Sequence, residues 1–98
     1  MENLTVLLEE NTQKGQAYIG DKNEPLAAMT YSKANDQFII IDHTEVSDSL
    51  RGKGVGRMLL DKIVALAREK NIKILPLCPY AKSVFDKDET IRDVLKGK

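Results

Sequence analysis

The sequence predicts a single α/β (α+β) domain: a mixed, mostly antiparallel sheet with one parallel strand–helix–strand crossover. Three observations carry that expectation. The apolar pattern of the first half is β-like, in short runs, and changes once, near residue 55, to a helical period. The runs of the first half are joined by short polar connectors, the sign of an antiparallel meander. A further β-prone run follows the helix, and strand–helix–strand within one sheet is normally a right-handed parallel crossover.

The elements follow in order. Leu4 to Leu8 is a short β-prone run, ended by a polar break over residues 9–15. Ala17 to Gly20 is a second run, closed by Asp21-Lys22-Asn23-Glu24-Pro25, where Asp and Asn favour side-chain-bonded turns. Leu26 to Tyr31 resumes the strand pattern, and Lys33-Ala34-Asn35-Asp36 forms the next turn. Phe38-Ile39-Ile40-Ile41 continues through Asp42, His43 and Thr44 to Val46. Its unbroken apolar start predicts a central strand covered on both faces.

From Val55 to Lys70 the residues Val55, Met58, Leu59, Leu60, Ile63, Val64, Leu66 and Ala67 form one wide helical stripe, and Asn71 suits a left-handed cap. Ile72 to Leu75 reads as a strand stopped by Pro76, and Pro79 suits the first turn of a helix over Tyr80 to Phe85. A last helical piece is expected over Thr90 to Leu95, after the charged break at residues 86–89. The predicted sheet pairs the 37–46 strand with the 72–75 strand in parallel.

Composition excludes several function classes. The 98 residues suffice for one core and not two, so residues 1–98 read as one domain. Fifteen basic residues balance fifteen acidic ones, which argues against a protein that grips nucleic acid through bulk charge. A single cysteine excludes an internal disulfide framework, and with one histidine no metal-ligand cluster is expected. The opening Met-Glu-Asn-Leu-Thr lacks the basic start and apolar run of a signal peptide. No run approaches about 18 apolar residues, so no membrane partner is expected. A cytoplasmic protein, monomeric or weakly dimeric through an open meander edge, is the expectation.

The chemistry concentrates where the central strand meets the long helix, at Arg51-Gly52-Lys53-Gly54-Val55-Gly56-Arg57. Glycines let backbone N–H groups approach a ligand closely, and the first turn of a helix has N–H groups without internal partners and a dipole that favours an anion. Phosphate or pyrophosphate is the natural occupant. Arg51, Lys53 and Arg57 add positive charge, so an overall neutral chain still holds a cationic turn. Two other phosphate loops fail on spacing. The P-loop needs Lys-Ser or Lys-Thr after its last glycine, where Arg57-Met58 stand; the dinucleotide fingerprint needs a glycine at position 57.

The remaining pattern, R-x-x-G-x-G at Arg51, Gly54 and Gly56, resembles the acetyl-coenzyme A signature of the GNAT superfamily of N-acetyltransferases. The likeness covers the predicted element order from about residue 17 to residue 86. With His43-Thr44-Glu45-Val46 and Leu77-Cys78-Pro79-Tyr80-Ala81 it further resembles a small group of minimal, single-domain GNAT-like proteins. The resemblance implies acetyl-CoA as cofactor and a primary amine, on a small molecule or a protein, as acceptor. It implies that Arg51, Gly52, Lys53, Gly54, Val55 and Gly56, with Arg57 beside them, hold the pyrophosphate. It implies that Thr44, Glu45 and Val46 form the strand end facing the pantetheine.

Departures from the family pattern matter as much. Only about seven polar residues separate the first two strands, where the family carries helices that bind the acceptor, and the usual C-terminal strands have no counterpart. The family motif N-x-x-A-x-x-x-Y, aligned on Ala81, places Cys78 at the Asn position and Phe85 at the Tyr position. The usual general acid is therefore absent, and Tyr80 is a candidate substitute.

Transfer of an acetyl group from a thioester to an amine requires that the amine lose a proton; an acid for the leaving thiolate helps but is optional. His43 and Glu45 are the candidate bases. Cys78, next to a helix start, could bind, protonate the thiolate or accept the acyl group; the plainer reading is a buried structural cysteine. The expected function is acetyl-CoA-dependent transfer of an acetyl group directly to a primary amine. The rival is a non-catalytic acyl-CoA-binding or protein-interaction module on a reduced fold.

Overall fold

The structure, a computed structural model, describes residues 4–97. Strands β1 (Leu7–Glu10), β2 (Lys14–Gly20), β3 (Pro25–Lys33) and β4 (Phe38–Val46) form an antiparallel meander. Helix α1 (Val55–Lys70) then crosses to β5 (Lys73–Pro76), which lies parallel to β4 with Phe38 opposite Lys73. The sheet order is β1-β2-β3-β4-β5, so the mixed sheet with one parallel pair is as the sequence predicts. Helix α2 (Pro79–Lys87) and a 3-10 segment, Glu89–Val94, complete the chain. Among the described residues no helix is long and apolar enough to cross a membrane.

The three hairpin turns share one device. An Asx side chain at the start of each accepts backbone N–H groups that would otherwise lack partners. Asn11 Oδ1 takes the N–H of Gln13 and Lys14, each at 2.8 Å. Asp21 Oδ1 takes that of Asn23 at 3.1 Å, and Asn35 Oδ1 those of Gln37 at 2.7 Å and Phe38 at 3.2 Å. The first of these turns corrects the sequence reading. The Asn11 turn is so tight that the ladder runs on through Glu9 and Glu10, opposite Gln16 and Gly15. The first strand is therefore Leu7–Glu10 rather than residues 4–8. Leu4, Val6 and Leu8 still pack against the core.

Both helices pack on one face of the sheet. Leu59, Leu60, Ile63 and Val64 of α1 and Ala81 and Phe85 of α2 share one cluster with Ala17, Met29, Tyr31, Ile39 and Ile41. Asn71 adopts the left-handed conformation (φ 58°) and closes α1 as its sequence suggests. The opposite face of the sheet is open, with Leu7, Leu26, His43 and Glu45 exposed and Phe38 and Ile40 half-buried. This revises the expectation that β4 is covered on both faces. Its continuous apolar run reflects a strand buried on the helix side and lightly shielded on the other, where the Lys96 ammonium lies 4.6 Å from the centre of the Phe38 ring.

The last segment is anchored by Ile91 and Val94 in the core and tied at its surface by charge. Arg68 of α1 donates to both carboxylate oxygens of Asp93, at 3.0 and 2.8 Å, and to the Thr90 carbonyl. Asp88 accepts from the Thr90 hydroxyl at 2.6 Å and from Arg57 at 2.7 Å. The Thr90 hydroxyl first, then the Arg57 guanidinium, hold the Asp88 carboxyl at about 2, below its ordinary 3.8. A depressed value means that the folded state favours the ionised form, so this contribution is complete above the ordinary carboxylate value and lost as pH falls towards 2. Asp88→Asn should lower Tm near neutral pH, and its deficit against the parent should close between about pH 4 and pH 2 in melts followed by circular dichroism.

Candidate functional site

The site is set by where β4 and β5 part. Their parallel ladder ends at Ile41 opposite Pro76, whereas β4 stays paired to β3 as far as Val46 opposite Ala27. The Ile41 carbonyl closes the junction by accepting the N–H groups of both Leu77 and Cys78 at 3.1 Å. The chain then leaves the sheet, because Pro79 starts α2 in the position where its missing N–H costs nothing. From Asp42 to Val46, β4 is left with one edge not paired to β5, inside a wedge whose apex is the Ile41–Cys78 junction.

At the far end of the wedge lies the glycine turn. Gly52 and Gly54 have φ of 77° and 72°, in the left-handed region that L side chains avoid. A Cβ at either would meet no atom within 4 Å, so backbone conformation, not crowding, requires glycine there, and the space above the turn is free. Gly54 is the N-cap of α1 and offers no capping side chain, and the first-turn N–H groups are left for a ligand. Arg51 stands beside the turn, paired loosely to Asp48 at 3.2 Å with both side chains largely exposed. Such a pair is worth little and exchanges readily for an anion.

Two residues of the turn have other engagements. Arg57 turns away to Asp61 at 2.8 Å and Asp88 at 2.7 Å, so its charge is already shared. A Cβ on Gly56 would come within 2.9 Å of the Tyr80 ring, so Gly56 lets α2 seat Tyr80 against the first turn of α1. Burial raises the Tyr80 phenol, against the opposing pull of Arg57 and with help from Asp61 and Cys78, so its hydroxyl stays protonated at neutral pH.

A β-bulge sorts the remaining candidates. Thr30 pairs with His43 while Tyr31 pairs with Ile41, so Asp42 is an extra residue in β4. Before the bulge the odd-numbered Ile39 and Ile41 face the helices; after it Thr44 and Val46 do, opposite Met29 and Ala27. His43 and Glu45 are turned together to the open face, because the bulge precedes both and keeps their parity. Cys78 lies on the other side of the strand, 4% exposed, with its Sγ 3.1 Å from Thr44 Oγ1. The three predicted catalytic residues thus divide. Cys78 stands at the wedge apex on the helix side, and His43 and Glu45 on the open side.

Two cavities flank β4. One of about 440 Å³ brings together Thr44, Glu45, Val46 and Arg51 from the predicted cofactor set. The other, of about 540 Å³, runs across the open face to Asp42 and His43. Asp42 and Ser32, joined by a 2.6 Å hydrogen bond in that cavity, were not among the sequence candidates. Nothing in the local sequence marks a bulge, although a polar Asp-His pair directly after an Ile run is where one could be sought.

This geometry has known counterparts. The sequence profile of the GCN5-related N-acetyltransferases matches residues 16–94, which is most of the chain. The chain belongs to that family. A GCN5-like protein from Staphylococcus aureus, solved by NMR, shares 42% identity over 100% of this chain and 93% of its own, with a TM-score of 0.74. Two more distant structures share the acetyltransferase fold. A ribosomal-protein-alanine N-acetyltransferase from Brucella melitensis superposes with a TM-score of 0.63 at 15% identity, over 79% of this chain and 62% of that one. A GNAT family acetyltransferase from Elizabethkingia anophelis with acetyl-CoA bound gives 0.55 at 18% identity, over 66% of this chain and 43% of that one. No functionally curated protein matches the chain in sequence. The family uses acetyl-CoA, and the residues here suit it: a strand edge for an amide-rich arm, and uncapped N–H groups with free space above them for a pyrophosphate.

Proposed function

We propose that the protein transfers the acetyl group of acetyl-CoA directly to a primary amine. The observation that carries this reading is the parting of β4 from β5 after Ile41, with an uncapped helix start at the far end of the same wedge. Bound acetyl-CoA supplies an activated acyl group on a sulfur that leaves readily as thiolate. The protein supplies position. The N–H groups of residues 52–56, with Arg51 and Lys53, hold the pyrophosphate; Arg57 acts from behind, anchoring α1 to Asp88. The open edge of Thr44, Glu45 and Val46 orients the arm. Cys78, held by Thr44, stands at the apex as the group that meets the thioester sulfur, as hydrogen-bond donor rather than nucleophile.

His43 takes the proton of the amine. It adjoins the bulge and faces the larger cavity, whereas Glu45 lines the smaller cavity beside Arg51. His43→Ala should lower kcat about 100-fold, within the usual range for losing a general base, and leave acetyl-CoA affinity unchanged. Glu45→Gln should affect the KM for acetyl-CoA more than kcat.

The test is thiol release from acetyl-CoA with a panel of amines, beside calorimetry with acetyl-CoA alone. Binding with amine-dependent thiol release supports the reading. Binding with no release for any amine makes the protein a non-catalytic acyl-CoA module. Mass spectrometry after incubation with acetyl-CoA should show no acetyl adduct on Cys78.

A further inference from the structure

The larger cavity points to the kind of amine. It spans the open face from the Asn11 turn to the bulge, and ends at Asp42 and His43, one residue past the last β4–β5 pair. Of its acidic lining residues, Glu9 and Glu10 already have cationic partners, and the Glu10 carboxylate turns to the helix side of the sheet. Glu9 faces Lys22 at 3.5 Å. Glu10 faces Lys33 at 3.0 Å and Lys70 at 3.4 Å and accepts from the Tyr31 hydroxyl at 2.7 Å. The lining cation, Lys14, sits at the opposite end, on the hairpin.

Asp42 differs from the other two. It is half-buried, and among the described residues its carboxylate makes no ion pair. Its one side-chain partner is the Ser32 hydroxyl. A carboxylate has about four acceptor sites, so most of its capacity is unspent. Ser32 gives its proton to Asp42 and presents lone pairs only. Thr30, directly opposite His43 in the ladder, adds another hydroxyl. Several acceptors around an unneutralised carboxylate complement a primary ammonium, which has three donors and no acceptor.

We propose that this open-face cavity is the acceptor site and that it selects a primary alkylammonium, seated on Asp42, Ser32 and Thr30 with its chain along the sheet towards β1. The inference rests on the acetyl-transfer reading for its chemistry, and on the cavity alone for binding. The ammonium gives one proton to the His43 imidazole. The amine nitrogen then forms its bond to the acetyl carbon as the carbon–sulfur bond breaks. The electron pair leaves on sulfur, which takes the second nitrogen proton, and His43 returns the first to water. An acceptor bearing a carboxylate beside its amine would be repelled by Asp42.

The test is an amide NMR titration, with and without coenzyme A, using n-butylamine, Nα-acetyl-lysine methylamide and butyrate. The two amines distinguish a free amine from a lysine side chain as source. At least one should shift Thr30, Ser32, Asp42 and His43, and butyrate should not. Asp42→Asn should weaken that binding at least about tenfold, as expected for loss of a charge-assisted hydrogen bond, and Ser32→Ala less. Calorimetry should show acetyl-CoA affinity unchanged in both variants. Failure of acetyl-CoA to bind the parent overturns the acetyl-transfer reading but not the cavity. Absence of amine shifts there, equal shifts with butyrate, or unchanged amine affinity in Asp42→Asn overturns the acceptor site while leaving the cofactor reading in place.

Discussion

Gly54→Asp is expected to weaken acetyl-CoA binding by at least about 100-fold while leaving the protein folded. The substitution puts a carboxylate at the N-cap of α1, where the proposed pyrophosphate sits on uncapped N–H groups. Two unit charges about 4 Å apart near a protein surface repel by roughly 4 kcal/mol, close to three powers of ten in affinity. The cost to folding is smaller. The left-handed conformation at φ 72° penalises a side chain by roughly 1 kcal/mol, and Asp tolerates it better than most residues. The added Cβ meets nothing within 4 Å, so no clash adds to it. Gly54→Asn is the control: nearly the same shape and the same backbone demand without the charge. Calorimetry should find Asn much closer to the parent than Asp. Equal affinities for the parent and Gly54→Asp would falsify the pyrophosphate assignment. Gly56 is a poorer place for this experiment, because any side chain there strikes the Tyr80 ring and disturbs the seating of α2.

Phe85→Ala is expected to have the largest effect on stability. The ring is 1% exposed and belongs to the cluster that joins α2, α1 and the sheet. Truncating a buried Phe to Ala costs about 3–5 kcal/mol, from lost burial and the cavity left behind. Domains of this kind have only about 5–15 kcal/mol in total, so urea melts should show most of the stability gone. The same residue explains a departure from the family pattern. Motif alignment puts Phe85 where the family carries its acid tyrosine, and the structure packs it into the core. Phe85→Tyr should therefore restore no acid function. It would bury a hydroxyl among apolar neighbours, at about 1–3 kcal/mol if unpaired. Thiol-release rates for Phe85→Tyr should not exceed those of the parent.

What the sequence made legible follows from which signals are local. The α1 stripe, the Asn71 cap and the Pro79 start of α2 appear where residue patterns place them, because each rests on neighbours in the chain; the parallel β4–β5 pair follows instead from the general rule for a strand–helix–strand crossover. The glycine turn, like the α1 stripe, was legible from neighbouring residues. The limits of β1 were not, since the Asn11 turn lets polar Glu9 and Glu10 pair as well as any apolar residue. The open face of the sheet was hidden by the apolar run of β4, which one covered face and a partly shielded second face suffice to explain. The bulge at Asp42 had no sequence signal, because it is a shift in pairing between β3 and β4 and not a property of either strand. That one residue decides the site: it turns Thr44 towards Cys78 on the helix side and His43 and Glu45 away from it, and it leaves Asp42 without a cation at the end of the larger cavity.

Acetyl-CoA is expected to lie in the wedge between β4 and β5 with its pyrophosphate on the start of α1. An amide NMR titration of the labelled protein with acetyl-CoA tests it most directly. Shifts should concentrate in residues 44–46, 52–57 and 77–78, with the Asn11 and Asn35 turns unmoved. Shifts centred elsewhere, or none at saturating acetyl-CoA, would contradict it.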